Sequence, residues 1–357
     1  MHFKIDGINV GENEPVFIIA ELSCNHRGDL NIAKESIIKA KEIGADAVKL
    51  QIATPDDLTL DSDREHFKIS AGTLWDGQRL YDLYQETYTP WEWYVELKKL
   101  AKEIGISLFA SPFSMGAVDF LEKQNSPAYK IASFEITDIP LIEKVARTQK
   151  PIIISTGIAD ENDIELAIET CVNQGNHKIA LLKCVSTYPT KIEDMNLLNL
   201  KTLSASYPVI TGLSDHSIGS LSAIISVGLG IKVIEKHFIL DKSLGGPDVQ
   251  FSADVNEFRQ YILDIRNAEK ALGSDKISIS QKIKIQKDIF GRKLFFVREK
   301  SKNEKITQED FKSLRGGGEA IHSKYYNDVI GSFAAENIQA GDPVVWEKII
   351  IKEENDE

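Results

Sequence analysis

Carboxylates, lysines and histidines recur at the ends of the short apolar runs of this chain. Glu21, Ser23 and Asn25 close the first run, and Lys49 and Gln51 sit on one face of the second. Ser111 ends the third, Lys130 and Ser133 the fourth, Ser155 and Thr156 the fifth. The sixth offers Lys183, Ser186 and Tyr188, and the last two pair Ser214 with His216 and Glu235 with His237 at period two. Two histidines at neighbouring strand ends can converge on one divalent cation, because imidazole suits Mn, Fe, Co and Zn and leaves positions for water or substrate oxygen. The plain alternative is two unrelated polar histidines, one capping a turn. Lys49 and Lys130 need anionic partners if buried. With Ser111, Ser133, Ser155 and Ser214 they make a phosphate or carboxylate cradle. They also have Glu21 and Glu235 as resident counter-ions, and the two readings are compatible.

What must position these residues is a set of eight Val- and Ile-rich runs, at 16–23, 47–53, 107–113, 128–133, 151–157, 179–185, 208–216 and 232–240. Runs of this kind are parallel strands buried on both faces. Stretches of helical period lie between them, as at 31–44, 90–105 and 160–175, and several end in Gly. Eight such repeats over about 270 residues predict a (β/α)8 TIM barrel over 1–272, whose strand ends at the carboxyl face carry the chemistry. A doubly wound open sheet is the competing fold, but no glycine-rich dinucleotide fingerprint is present. The long connection at 54–89 is expected to lie over that face as a lid, with Trp75, Trp91 and Trp93 as candidates for lining a sugar pocket or, equally, for core or lid packing.

The pattern changes near residue 273. A polar, lysine-rich linker is expected over 273–290, then a small β-rich module over 291–357 that ends in a solvated acidic tail, KEENDE. The net charge of −12 argues against a nucleic-acid partner, which needs a basic surface. Three cysteines, Cys24, Cys171 and Cys184, form no CxxC pair, which points to a reducing compartment. With no signal-like h-region and no apolar run long enough to span a bilayer, a cytoplasmic protein without a membrane partner is expected.

Seven segments in order, AELSCNHRGD, VKLQ, YKIASFEITD, STGIA, KCVSTYP, GLSDHSIG and VIEKHFILD, resemble the sialic acid synthase family, and the C-terminal part resembles its SAF, or antifreeze-like, domain. The resemblance implies a metal-dependent condensation of phosphoenolpyruvate with an amino-sugar aldose and water, giving a nine-carbon acid and phosphate. The segments at 72–93 and 131–143 are most similar to the pseudaminic acid branch of the family, which implies 2,4-diacetamido-2,4,6-trideoxy-altrose as acceptor. The legionaminic and N-acetylneuraminic branches are the near alternatives.

By the same resemblance Lys49, Lys130, Ser133, Ser155 and Ser214 hold phosphoenolpyruvate, with Ser111 where Thr is usual and Ser186 where some relatives have Asn. His216 and His237 bind the metal, Mn or Mg, Glu21 and Glu235 handle protons or orient the sugar, and Tyr188 contacts substrate. A domain-swapped homodimer is implied, in which Arg315 reaches a sugar in the partner's barrel. Arg315-Gly316-Gly317 replaces the family's usual Arg-Pro-Gly, which implies a freer loop. Two other functions fit parts of the sequence: a synthase for a phosphorylated aldose, and a glycan-binding module with the barrel as scaffold.

Overall fold

The computed structural model describes residues 1–70, 72 and 75–351. Thr73 and Leu74 of the long connection and the KEENDE tail lie outside the described residues. The chain divides into two compact units, Met1–Gly273 and Ser274–Glu357.

The first unit opens with a hairpin, β1 (His2–Ile5) and β2 (Ile8–Gly11), paired antiparallel. Its turn residues Asp6 and Gly7 both have positive φ, 50° and 86°, as a two-residue hairpin turn requires. Eight parallel strands then alternate with helices and close into a barrel. They are β3 (Phe17–Glu21), β4 (Ala47–Ile52), β5 (Ser107–Pro112), β6 (Tyr129–Ile131), β7 (Ile152–Ser155), β8 (Ile179–Lys183), β9 (Ile210–Asp215) and β10 (Val233–His237), with β10 closing against β3. Each lies inside one of the eight apolar runs, so the predicted barrel is the observed one.

Alternation along these strands sorts the side chains. Outward residues such as Ile18, Val48, Leu108 and Ile154 pack under the helices. Inward residues near the strand starts, Phe17, Ile19, Ala47, Phe109, Ile153 and Val233, form an apolar layer with Phe3, Ile5 and Val10 of the hairpin. The hairpin thereby seals the amino end of the barrel. Further along the same inward rows the residues turn polar: Glu21, Lys49, Ser111, Lys130, Ser155, Ser214 and Glu235, all buried. The connection at 54–89 contains a short helix, Pro55–Leu58, a 3-10 turn, Glu65–Phe67, and a helix, Leu80–Thr87. Its far end is tied down by buried His26, whose Nε2 lies 2.9 Å from Thr89 Oγ1.

The second unit begins within the segment expected as a linker, which carries a helix at Gln281–Phe290. Beyond it β11 (Arg292–Phe296) pairs antiparallel with β12 (Phe311–Arg315), and β13 (Phe333–Ala334) with β14 (Ile349–Ile350). Leu294, Phe296, Ile306, Phe311, Val329 and Val344 make its small core. No described helix is long and apolar enough to cross a membrane.

Candidate active site

The inward polar rows meet in one cavity of about 420 Å³ at the carboxyl end of the barrel. Its floor is a four-charge cage. Glu21 and Lys49 are register partners on β3 and β4, and Lys49 Nζ lies 2.6 Å from Glu21 Oε2 and 3.7 Å from Glu235 Oε1. Lys130 Nζ lies 3.8 Å from the same Glu235 oxygen. Gln51 donates to Glu21 Oε1 at 2.9 Å, and Lys49 donates to Ser111 Oγ at 3.1 Å. Burial works against the charged form of Lys49, yet Glu21 and Glu235 outweigh it and raise its pKa. Burial lowers that of Lys130, with Lys49 adding to the effect against the pull of Glu235. Glu235 is held low: burial opposes its charge, but Lys130 and Lys49 prevail. Two cations and two carboxylates cancel, so an anionic ligand that engages the lysines competes with Glu21 and Glu235.

Beside the cage is a hydroxyl cradle. Ser133 Oγ accepts from the Gly157 backbone N–H at 2.7 Å, and buried Ser155 Oγ has no partner among the described residues. A Cβ at position 157 would come within 2.1 Å of Ser186 Oγ and 2.5 Å of Ser133 Oγ, so glycine there lets these two hydroxyls keep the positions they hold beside the end of β7. Gly157→Ala is therefore expected to raise the KM for an anionic substrate at least about tenfold while the protein still folds, checked by steady-state kinetics beside thermal unfolding.

The third feature is a histidine pair. His216 and His237 have ring centroids 5.4 Å apart, bordered by Tyr188 and Phe251. His216 Nδ1 lies 3.0 Å from Val185 O, which makes it the N–H donor and leaves Nε2 free in the neutral ring. His237 Nδ1 lies 3.3 Å from Asp248 Oδ2. The neighbours of these histidines point outward and lock the strand ends. Lys236 Nζ donates to Asp215 Oδ2 at 3.2 Å and to Ser217 O at 2.7 Å, and Tyr261 donates to Asp215 Oδ2 at 2.8 Å. This buried network pins β9 to β10 and so sets the spacing of the two imidazoles.

The sequence matches the NeuB family over residues 36–277 and the SAF domain over 294–350. It is 48% identical to pseudaminic acid synthase of Helicobacter pylori over 93% of this chain and 97% of that one. Identity to pseudaminic acid synthase of Campylobacter jejuni is 44%, over 94% and 96% of the two chains. Among solved structures, N-acetylneuraminic acid synthetase from Leptospira borgpetersenii superposes with a TM-score of 0.72 at 29% identity, over 80% of this chain and 95% of that one. The chain belongs to the NeuB family. The resemblance carried by the seven ordered segments is thus borne out, as is a C-terminal SAF domain.

The residues to which the resemblance gives a role and which line the cavity are Glu21, Lys49, Lys130, Ser133, Ser155, Ser186, Tyr188, Ser214, His216, Glu235 and His237; Ser23, another strand-end candidate, lines it too. Ser111 stands behind Lys49, fully buried, rather than on the wall. Arg315 is exposed at the end of β12 in the second unit. Trp75 lines the cavity, whereas Trp91 and Trp93 pack against the barrel core, because they open the helix Trp91–Ile104 that covers β5. Lys183 projects away from the cavity and donates to Cys184 O at 2.9 Å.

Gln51, expected on the same face as Lys49, lines the cavity too; so do Glu135, Asp248 and Phe251, to which sequence reading assigned no role there. Glu135 sits in a 3-10 turn after β6 with one carboxylate oxygen unpaired among the described residues, and burial pushes its pKa up to about 7. A raised carboxyl pKa favours the folded state while the group is protonated, and this advantage is lost as pH rises through the folded value. Glu135→Gln should therefore melt a few degrees above wild type at pH 8.5, with the gap shrinking toward pH 5, in paired thermal scans.

Proposed function

We propose that this protein is a pseudaminic acid synthase, condensing phosphoenolpyruvate with 2,4-diacetamido-2,4,6-trideoxy-altrose and water to give a nine-carbon acid sugar and phosphate. The observation that carries the reading is the pair of fully buried lysines, Lys49 and Lys130, beside the hydroxyl cradle at the barrel mouth. A scaffold for a glycan-binding module has no need to bury two ammonium groups there. The identity to pseudaminic acid synthases over nearly the whole chain favours this acceptor over the legionaminic and N-acetylneuraminic precursors.

In this reading Lys49 and Lys130 take the phosphate and carboxylate of phosphoenolpyruvate, with Ser133, Ser155, Ser186 and Ser214 around them and the Gly157 N–H holding Ser133 Oγ. Such fixed donors stabilise charge without reorganising. The residues also suit a divalent cation, Mn or Mg. His216 commits Nδ1 to a backbone carbonyl, the usual outer contact of a metal-binding imidazole, and its Nε2 is free. The described residues hold no cluster of three His, Cys, Asp or Glu that would complete a site, so water or substrate oxygen would fill the other positions. The cation would supply Lewis acidity to the open-chain aldehyde.

C3 of phosphoenolpyruvate attacks the aldehyde carbon, positive charge develops at C2, and water adds there. Glu21, held by Gln51 and Lys49, faces that carbon's charge and directs the water, and Glu235 balances the lysines once substrate is bound. The tetrahedral species then loses phosphate by C–O cleavage. With 18O in the bridging oxygen of phosphoenolpyruvate, the label is expected in the released phosphate. Label retained in the sugar acid would contradict the mechanism.

The site roles, the boundaries 1–272, 273–290 and 291–357, a cytoplasmic location and a homodimer that shares Arg315 between protomers belong to the same proposal. Removing residues 290–357 should abolish turnover while circular dichroism still reports a folded barrel. Full turnover by the truncated chain would refute the shared site.

A further inference from the structure

The cavity is built in two halves. The floor is the charged and hydroxylated set of strand ends. The roof is apolar: Leu58, Ile69, Leu80, Leu83 and Tyr84 from the connection at 54–89, with Phe113 after β5. Leu80, Leu83, Tyr84 and Thr87 follow the i, i+3, i+4, i+7 spacing of one helical face, and all four line the cavity. None of the six apolar residues belongs to or packs against a hydrophobic core cluster of the described residues, and each is half-buried. A helix face that sets Leu80 and Leu83 against a polar-floored cavity, and contributes to no described core, is shaped to meet apolar groups of a ligand.

We infer that this roof is the specificity element for the far end of the acceptor sugar, and that Leu80 and Leu83 read its C6 methyl and 4-acetamido methyl groups. The inference rests on the acceptor assignment above. The aldehyde must face the floor, where phosphoenolpyruvate and the histidines are, which directs C4 to C6 toward the roof. A 6-deoxy sugar with a second acetamido group presents methyls there. A hydroxyl in place of either methyl group would lose its apolar contact, and the Leu80 and Leu83 side chains offer it no hydrogen-bond partner. An apolar pocket discriminates against an added hydroxyl by up to about 10²-fold.

The test is phosphate release with the diacetamido-trideoxy sugar, its 6-hydroxy analogue and its 4-hydroxy analogue, for wild type, Leu83→Asn, Leu80→Asn and Leu83→Met. Wild type should prefer the diacetamido-trideoxy sugar by about 10- to 100-fold in kcat/KM. Leu83→Asn or Leu80→Asn should cut that preference at least fivefold, through the KM of the methylated sugar rather than kcat, and Leu83→Met should keep it. Thermal unfolding shows which variants fold, and either Asn variant suffices. A folded Asn variant that scales all three sugars equally, or changes none, overturns the inference while leaving the synthase reading intact. A wild type that releases phosphate with none of the three overturns both.

Discussion

Replacing His237 by Ala will lower metal-dependent kcat by about 10³-fold or more and weaken Mn binding, while the protein stays folded. His237 is the last residue of β10, and its register partner on β3 is Glu21. The Lys236–Asp215 contact holds its backbone, so the variant keeps the strand end and loses the ring. One imidazole cannot hold the cation as two do. Asp248 loses His237, the group that does most to hold its pKa down against burial, while Ser23 and Cys24 beside it still favour its charged form. The fold should therefore change little. Mn titration followed by electron paramagnetic resonance separates this from a general loss of structure. Wild-type turnover and wild-type Mn affinity in the variant would remove His237 from the metal site.

Lys49→Met is expected to cost about 3–5 kcal/mol of stability and to abolish the rise in Tm that phosphoenolpyruvate gives wild type. The substitution leaves Glu21 without its 2.6 Å partner and takes one of two cations from Glu235, and both carboxylates are buried. The pH window follows from the shifts. Lys49 is raised, so its contribution is complete below the unfolded lysine value of about 10.4 and fades as pH climbs through the folded one. Glu235 is lowered, so its share is present above the unfolded value of about 4.3 and fades as pH falls through the folded one. Between about pH 6 and 9 the stability gap should be flat, and below about pH 4 it should narrow. Adding Glu21→Gln to Lys49→Met should recover part of the loss, because the unpaired charge goes with it. Equal melting of wild type and Lys49→Met across this range would mean that the cage carries no such energy.

The barrel is legible in the sequence because a parallel strand buried on both faces must be a short, nearly continuous apolar run, and eight of them stand between amphipathic stretches. Period two alone then puts Lys49 with Gln51, and Glu235 with His237, on shared rows of their strands. The hairpin at the amino end is equally written, in Asp6-Gly7 between alternating apolar residues, but its four-residue strands are too short to stand out by pattern. Glu135 and Asp248 are hidden for another reason. They reach the cavity from a 3-10 turn and a loop, where no periodicity says which way a side chain points. The Asp215–Lys236–Tyr261 network is invisible in the sequence because it joins residues 21 and 46 positions apart, and only strand adjacency brings them together. Trp91 and Trp93 show where composition runs out: aromatic residues fit a sugar pocket and core packing alike, and the structure uses both for core packing.

The most direct test of the central claim is phosphate release from phosphoenolpyruvate with Mn, comparing 2,4-diacetamido-2,4,6-trideoxy-altrose with the legionaminic precursor and N-acetylmannosamine. The account predicts release with the altrose sugar and at least about tenfold lower kcat/KM with the other two. Preferential turnover of either alternative would keep the chemistry and overturn the acceptor. No release with any of the three, from folded and Mn-loaded protein, would contradict the account itself.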